Sequence, residues 1–288
     1  MTIMKNIAKH KCFKKKSGAV IYIKPTDGWI PVDLGELYSY RELLYNFILR
    51  DLKVRYKQTL LGASWAIIQP LFLMIIFTLF FGKFAKIPSD GIPYPLFSYA
   101  ALLPWTLFAE GITRSTNSMI QNSGIMTKVY FPRMILPLSG ITSPLVDFAV
   151  AFGVLVILMI YYGFVPTMNI IWLPAFILLA LMTSLGIGLW LSALNVQYRD
   201  FQYVIPFLIQ IWLFASPVVY PASLLPESYQ LFYGLNPMAG VIEGFRWALL
   251  GMNPPSSMIL VSTLIVIILN ISGAFYFKRT EKIFADVV

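Results

Sequence analysis

The sequence predicts an all-α integral membrane protein: six transmembrane helices, an amphipathic helix before the first and a re-entrant helix pair before the last. Two observations carry that expectation. Six long apolar stretches run over residues 63–81, 97–120, 137–162, 171–194, 204–220 and 258–277, and crossing a bilayer core takes roughly 20 such residues at about 1.5 Å each. The second observation is charge. Residues 1–62 hold 12 of the 22 Lys and Arg. With the amino terminus inside, Lys128, Arg133, Arg199, Lys278, Arg279 and Lys282 bring the inner total to 18, against Lys83, Lys86 and Arg246 outside and Arg114 within a span. Lysine and arginine collect on the cytoplasmic side of short membrane loops, so both termini are expected there.

The elements follow in chain order. Residues 1–35 form a basic extension whose start, with Lys14, Lys15 and Lys16 in a row, reads as disordered, and in which Ile21, Tyr22 and Ile23 suggest a short strand. The first 62 residues carry most of the net charge of +9; this reads as a topology signal beside anionic lipid rather than a nucleic-acid surface. Residues 36–60 are expected to form the amphipathic helix. Glu42, Asn46, Arg50, Lys53 and Lys57 share one face of it, and Leu43, Leu44, Phe47, Ile48 and Val54 the other. Such a helix lies in the membrane interface with its polar face toward the cytosol.

The outer loop 82–95 is short and proline-rich. The inner loop 121–136 mixes basic with apolar residues, and Val129, Tyr130 and Phe131 exposed there need a cover. Lipid headgroups or a protein partner could supply it, and a partner fits better. After the fifth stretch, Pro226 opens a short helix that Gly234 ends; Asn236 then caps a second from Pro237 to Leu250, with Gly251 as its stop. Two short helices entering and leaving from one side, over about 226–250, make the re-entrant pair. Residues 61–280 thus form one transmembrane domain, and 281–288 a cytoplasmic tail.

The chemistry present is sparse. No Gly-x-x-x-x-Gly-Lys-Ser/Thr loop exists to cradle nucleotide phosphates. Cys12 and His10 are the only cysteine and histidine, so neither a disulfide nor a Cys- or His-based metal site is expected. No catalytic set of side chains is evident, and the chain is not expected to be an enzyme. Three charges fall within spans: Glu110, Arg114 and Asp147. Glu110 and Arg114 stand four apart on one helical face, either as an ion pair locking the packing or as lining for a hydrophilic route. Trp65, Trp212 and Phe214 offer flat ring faces on which sugar rings can stack, or on which neighbouring helices can pack.

Several motifs in order then resemble one family. Residues 50–65 (RDLKVRYKQTLLGASW), 128–133 (KVYFPR) with 136–139 (LPLS), 198–200 (YRD), 216–221 (SPVVYP), 236–238 (NPM) and 243–246 (EGFR) are similar to signatures of type-2 ATP-binding-cassette permeases that export polysaccharides. The resemblance covers about residues 36–280 and is nearest to the O-antigen exporters, with teichoic-acid and capsule exporters as relatives. It implies a homodimer in the bacterial inner membrane that moves a lipid-linked polysaccharide, with ATP and magnesium bound on a separate ATPase subunit. By that resemblance the loop 125–133 is the coupling helix, with Lys128, Val129, Tyr130 and Arg133 on the ATPase, joined by Arg50, Lys53 and Lys57 of the interface helix. Trp65, Trp212, Phe214 and Tyr220, with Glu110 and Arg114, would lie along the sugar path. A drug or small-lipid exporter and a membrane-embedded transferase are the rival readings.

Overall fold

The computed structural model describes residues 34–57, 62–255, 257–281 and 284. The basic extension up to residue 33, with its expected strand, and the tail from 285 lie outside them. The described residues hold helices and no strand. The expected amphipathic helix is two: α1 (Leu34–Ser39) and α2 (Arg41–Lys57), parted by a turn at Tyr40. There the Ser39 hydroxyl donates to the Glu36 carbonyl at 2.6 Å, a local bond that competes with the helical ladder.

Four helical segments are long and apolar enough to cross a membrane: Trp65–Phe84, Ile135–Tyr161, Met168–Gln197 and Met258–Thr280. The first is α3 (Trp65–Phe77), which widens into a π-helical stretch over Thr78–Phe84 and so runs past the expected end at residue 81. The second is α6 (Ile135–Thr142) and α7 (Pro144–Tyr161), with only Ser143 between them. The third is a 3₁₀ turn leading into α8 (Leu173–Gln197), and the fourth is α12 (Met258–Thr280).

The two other expected spans differ for opposite reasons. α4 (Tyr94–Gln121) has 28 residues, but its second half is polar, including Glu110, Thr113, Arg114, Ser115, Thr116 and Asn117. It is the hub of the fold, packed along α3, α6, α7, α8 and α11 (Pro237–Leu250), and Leu96–Leu103 is buried throughout. A helix wrapped by helices needs no apolar exterior. α9 (Phe201–Ala215) is apolar but has only 15 residues. It stops five residues before the expected end because Pro217 pushes Ser216 into extended backbone (φ −106, ψ 153).

Small residues let the rods approach. A Cβ on Gly273 of α12 would stand 2.6 Å from the Gly186 carbonyl of α8, and one on Gly140 of α6 would stand 2.8 Å from the Ser115 nitrogen of α4. Close backbone approach of this kind favours helix association where water offers no hydrophobic drive.

α10 (Glu227–Tyr233) and α11 sit where the sequence puts them. The Asn236 carboxamide accepts from the Met238 N–H at 3.1 Å, and Gly251 ends α11 in left-handed conformation (φ 67). Gly234 serves for another reason: its φ of −61 is ordinary, and what excludes a side chain is the Met258 carbonyl, 2.9 Å from where a Cβ would be. Two motifs interlock here with the start of α4. Arg246, fully buried, lies over the Phe97 ring, pairs with Glu243 at 3.0 Å and donates to the Val218 carbonyl at 2.9 Å. Glu243 accepts from the Ala222 N–H, and the Tyr94 hydroxyl donates to the Val219 carbonyl at 2.6 Å. The 243–246 motif thus pins the 216–221 loop to the start of α4.

Candidate substrate cleft and coupling face

The charges expected within spans meet in one knot. Asp147 stands in the first turn of α7, where the helix dipole favours an anion, and Arg55 in the last turn of α2, where it favours a cation. The two form an ion pair, and the Tyr56 hydroxyl donates to the same carboxylate. Arg55 also lies 3.8 Å from Glu110, which accepts from Arg114 at 3.0 Å. Two carboxylates and two guanidiniums therefore offset one another, and α2 is tied to α4 and α7.

Beside the knot lies a cavity of about 220 Å³ between α3, α4, α7 and α9. Its polar lining is Arg55, Gln69, Thr106, Glu110, Asp147 and Gln210, and the Trp65 ring forms part of its wall. Pro70 and Pro206, each inside a helix, also line it. Of the residues proposed from sequence, the cavity brings together Trp65 and Glu110, with Arg114 behind Glu110. Trp212 stands elsewhere, in a separate apolar groove with Ile112, Ile187 and Leu191. Its ring meets Phe108 edge-on at 5.2 Å, and its indole N–H donates to Asn236 at 3.0 Å. The Tyr220 hydroxyl bonds to the Phe214 carbonyl and to the Tyr233 hydroxyl at 2.8 Å, and the Phe214 ring is exposed. Arg55, Tyr56, Gln69 and Gln210 were missed from sequence. The signal for Arg55 was Asp147, a lone carboxylate in an apolar stretch that required a cation.

The second candidate surface is the loop 121–136, expected from its charge to lie on the inner side. Its helical part is the single turn α5 (Ser123–Met126), after which the chain turns until α6. Ile125, Lys128, Val129 and Tyr130 are exposed. Phe131, expected exposed, is only 4% accessible: its ring lies 5.8 Å from that of Phe47 on α2. Burying each ring contributes about 1.5–3 kcal/mol. The apolar face of α2, with Leu43, Leu44 and Phe47, thus packs on protein rather than lying against lipid alone; Val54, placed with that face from sequence, is exposed.

Of the basic candidates, Lys53, Lys57 and Lys128 point outward. Arg50 turns inward and donates to Asn122 at 2.7 Å, where α4 ends. Arg133 donates to the Glu281 carbonyl at 2.6 Å, beyond α12. Partial burial, then the nearby Glu36, raises the Tyr130 hydroxyl above its ordinary value, so it faces out uncharged.

A polar knot and a cavity set among long apolar helices, beside an exposed loop, fit a membrane transporter. The chain belongs to the ABC-2 type transporter family, whose model matches residues 42–250. It is a multi-pass membrane protein. Among named relatives, it is 30% identical over 252 residues to the O-antigen export system permease protein RfbA of Myxococcus xanthus, covering 85% of this chain and 96% of that protein. An RfbA of Klebsiella pneumoniae is 30% identical over 259 residues, 89% of this chain and 97% of that protein. The polysialic acid transport protein KpsM of Escherichia coli is 25% identical over 207 residues, 70% of this chain and 79% of that protein.

Proposed function

We propose that this chain is the membrane subunit of an exporter that carries lipid-linked O-antigen polysaccharide across the bacterial inner membrane. ATP, with magnesium, is hydrolysed on a separate ATPase subunit. The observation that carries this reading is the near end-to-end likeness to O-antigen permeases, 30% over 85–89% of the chain, against 25% over 70% for the polysialic acid protein. A capsule exporter is the second reading, favoured by that weaker likeness.

Six spans per subunit follow if α4 crosses inside the bundle and α9 crosses together with the residues after it; α10 and α11 then re-enter from the outer face. Both termini are cytoplasmic, on the strength of the lysine and arginine asymmetry. Two copies pair, with α3 and α9 of each beside the path. In this mechanism, closure of two ATPase subunits presses on Ile125, Lys128, Val129 and Tyr130. The push passes through Phe131 to α2 and on to the charge knot. α3 and α9 then part to admit the polymer, with the lipid end outside the protein.

The test is deletion of the gene in its own host. Loss of surface polysaccharide, with lipid-linked polymer accumulating inside, is expected, and a plasmid copy should restore export. Normal surface polymer in the deletion strain overturns the proposal. A missing capsule beside intact O-antigen selects the second reading.

A further inference from the structure

We infer that the cavity between α3, α4, α7 and α9 is a sugar-binding site that accepts uncharged glycan units and turns away acidic ones. The inference rests on the export reading and adds the class of polymer and two contact residues, Gln69 and Gln210.

Both glutamines lie within apolar helices, are exposed and line the cavity. Neither carboxamide makes a hydrogen bond to another described residue. An amide facing hydrocarbon is unfavourable, so each calls for water or a hydroxyl-bearing ligand. Their placement agrees. Trp65 and Gln69 are four apart and share one face of α3; Pro206 and Gln210 do the same on α9. Pro70 and Pro206 lack an N–H, which takes the helical donor away from the carbonyls of Ala66 and Gln202, and Ala66 lines the cavity. Amides, bare carbonyls and an exposed indole face are what vicinal hydroxyls and the C–H face of a pyranose ring engage. A volume of about 220 Å³ holds several waters at about 30 Å³ each, and so one such ring.

Selection against acid follows from the charges. Arg55, Glu110 and Asp147 line the cavity, and both guanidiniums of the knot, Arg55 and Arg114, are already paired to its carboxylates. The four charges sum to zero, so a sialate or uronate carboxylate entering the cavity would shed its water and find both guanidiniums already committed, a desolvation with nothing to offset it. Neutral sugars meet no such barrier.

The experiment uses the full chain with its ATPase partner in lipid nanodiscs, and saturation-transfer NMR with tetrasaccharides of glucose, galactose, mannose and rhamnose, and with tetrasialic acid. Transfer to the ring C–H protons of at least one neutral tetrasaccharide, and none to tetrasialic acid, is expected. Gln69→Leu with Gln210→Leu, and Trp65→Ala alone, should each weaken binding about tenfold, the loss that one or two hydrogen bonds or a ring contact represents; Trp65→Phe should retain it. Binding of none of the neutral probes, equal binding of tetrasialic acid, or unchanged binding by the double variant overturns the inference. The last result joined to a lower dimer fraction would assign the amides to pairing between subunits. Gene deletion remains a separate test: surface polymer lost on deletion but normal in the double variant keeps the exporter and removes the site.

Discussion

Asp147 shows how one side chain can hold several elements. It takes the charge of Arg55 and the hydroxyl of Tyr56, and its own side chain is 13% accessible. Asp147→Ala would take from Arg55 its ion pair with that carboxylate, with Glu110 no nearer than 3.8 Å. We expect a loss of about 3 kcal/mol, the usual penalty for stranding one partner of a sheltered pair, seen as a lower melting temperature in detergent. Arg55→Ala with Asp147→Ala should recover part of it, and a purely additive double variant would deny the pairing. Arg246 plays the same part for the loop 216–221 and the start of α4. Arg246→Lys keeps the charge but gives up the planar fork that serves Glu243 and Val218 at once, so folded protein in the membrane should fall severalfold, measured by immunoblot. Four residues apart on one helix, Glu110 and Arg114 are legible as a pair from their spacing alone. Arg55 and Asp147 are not, since 92 positions separate them and no periodicity encodes that distance.

Helices and their ends were the most legible level. Pro, Asn and Gly signals placed α10 and α11 to the residue, because caps are local chemistry. The end of α9 was read too late, since the apolar run continues through the 216–221 loop while the backbone obeys Pro217. Exposure was harder to read: Phe131 looks like a surface residue until Phe47 arrives from a distant helix. Two glycines separate the reasons a helix end needs one. Gly251→Ala meets an unfavourable φ of 67 and should cost about 1 kcal/mol. Gly234→Ala keeps an ordinary φ but drives a Cβ against the Met258 carbonyl, so α10 must shift from α12 and the melting temperature should fall further. The reverse order would refute the close-approach account. On the 121–136 loop, Lys128→Glu should reduce ATPase co-purification at unchanged melting temperature. Arg133→Glu should lower both, because Arg133 also holds the chain beyond α12.

At the scale of the whole chain, composition and charge asymmetry told the class, and the arrangement of the rods had to be seen. α4 is the instance: the sequence leaves Glu110 and Arg114 as either an ion pair or the lining of a hydrophilic route, and in the structure they pair while Glu110 also lines the cavity. The topology proposed here has its own check. With Cys12 replaced by Ser, a single cysteine at Ser89 should react with an impermeant maleimide in intact cells, and one at Lys128 only after permeabilisation. Labelling at Lys128 from outside would invert the protein. Lastly, α2 is fastened at three points along its length: Phe47 to Phe131, Arg50 to Asn122, and Arg55 with Tyr56 to Asp147. A rod bolted so often has no lost motion. Whatever displaces the 121–136 loop displaces the floor of the cavity in the same stroke, so in the mechanism proposed above the grip on a sugar and the thrust of the motor would keep time without any longer relay between them.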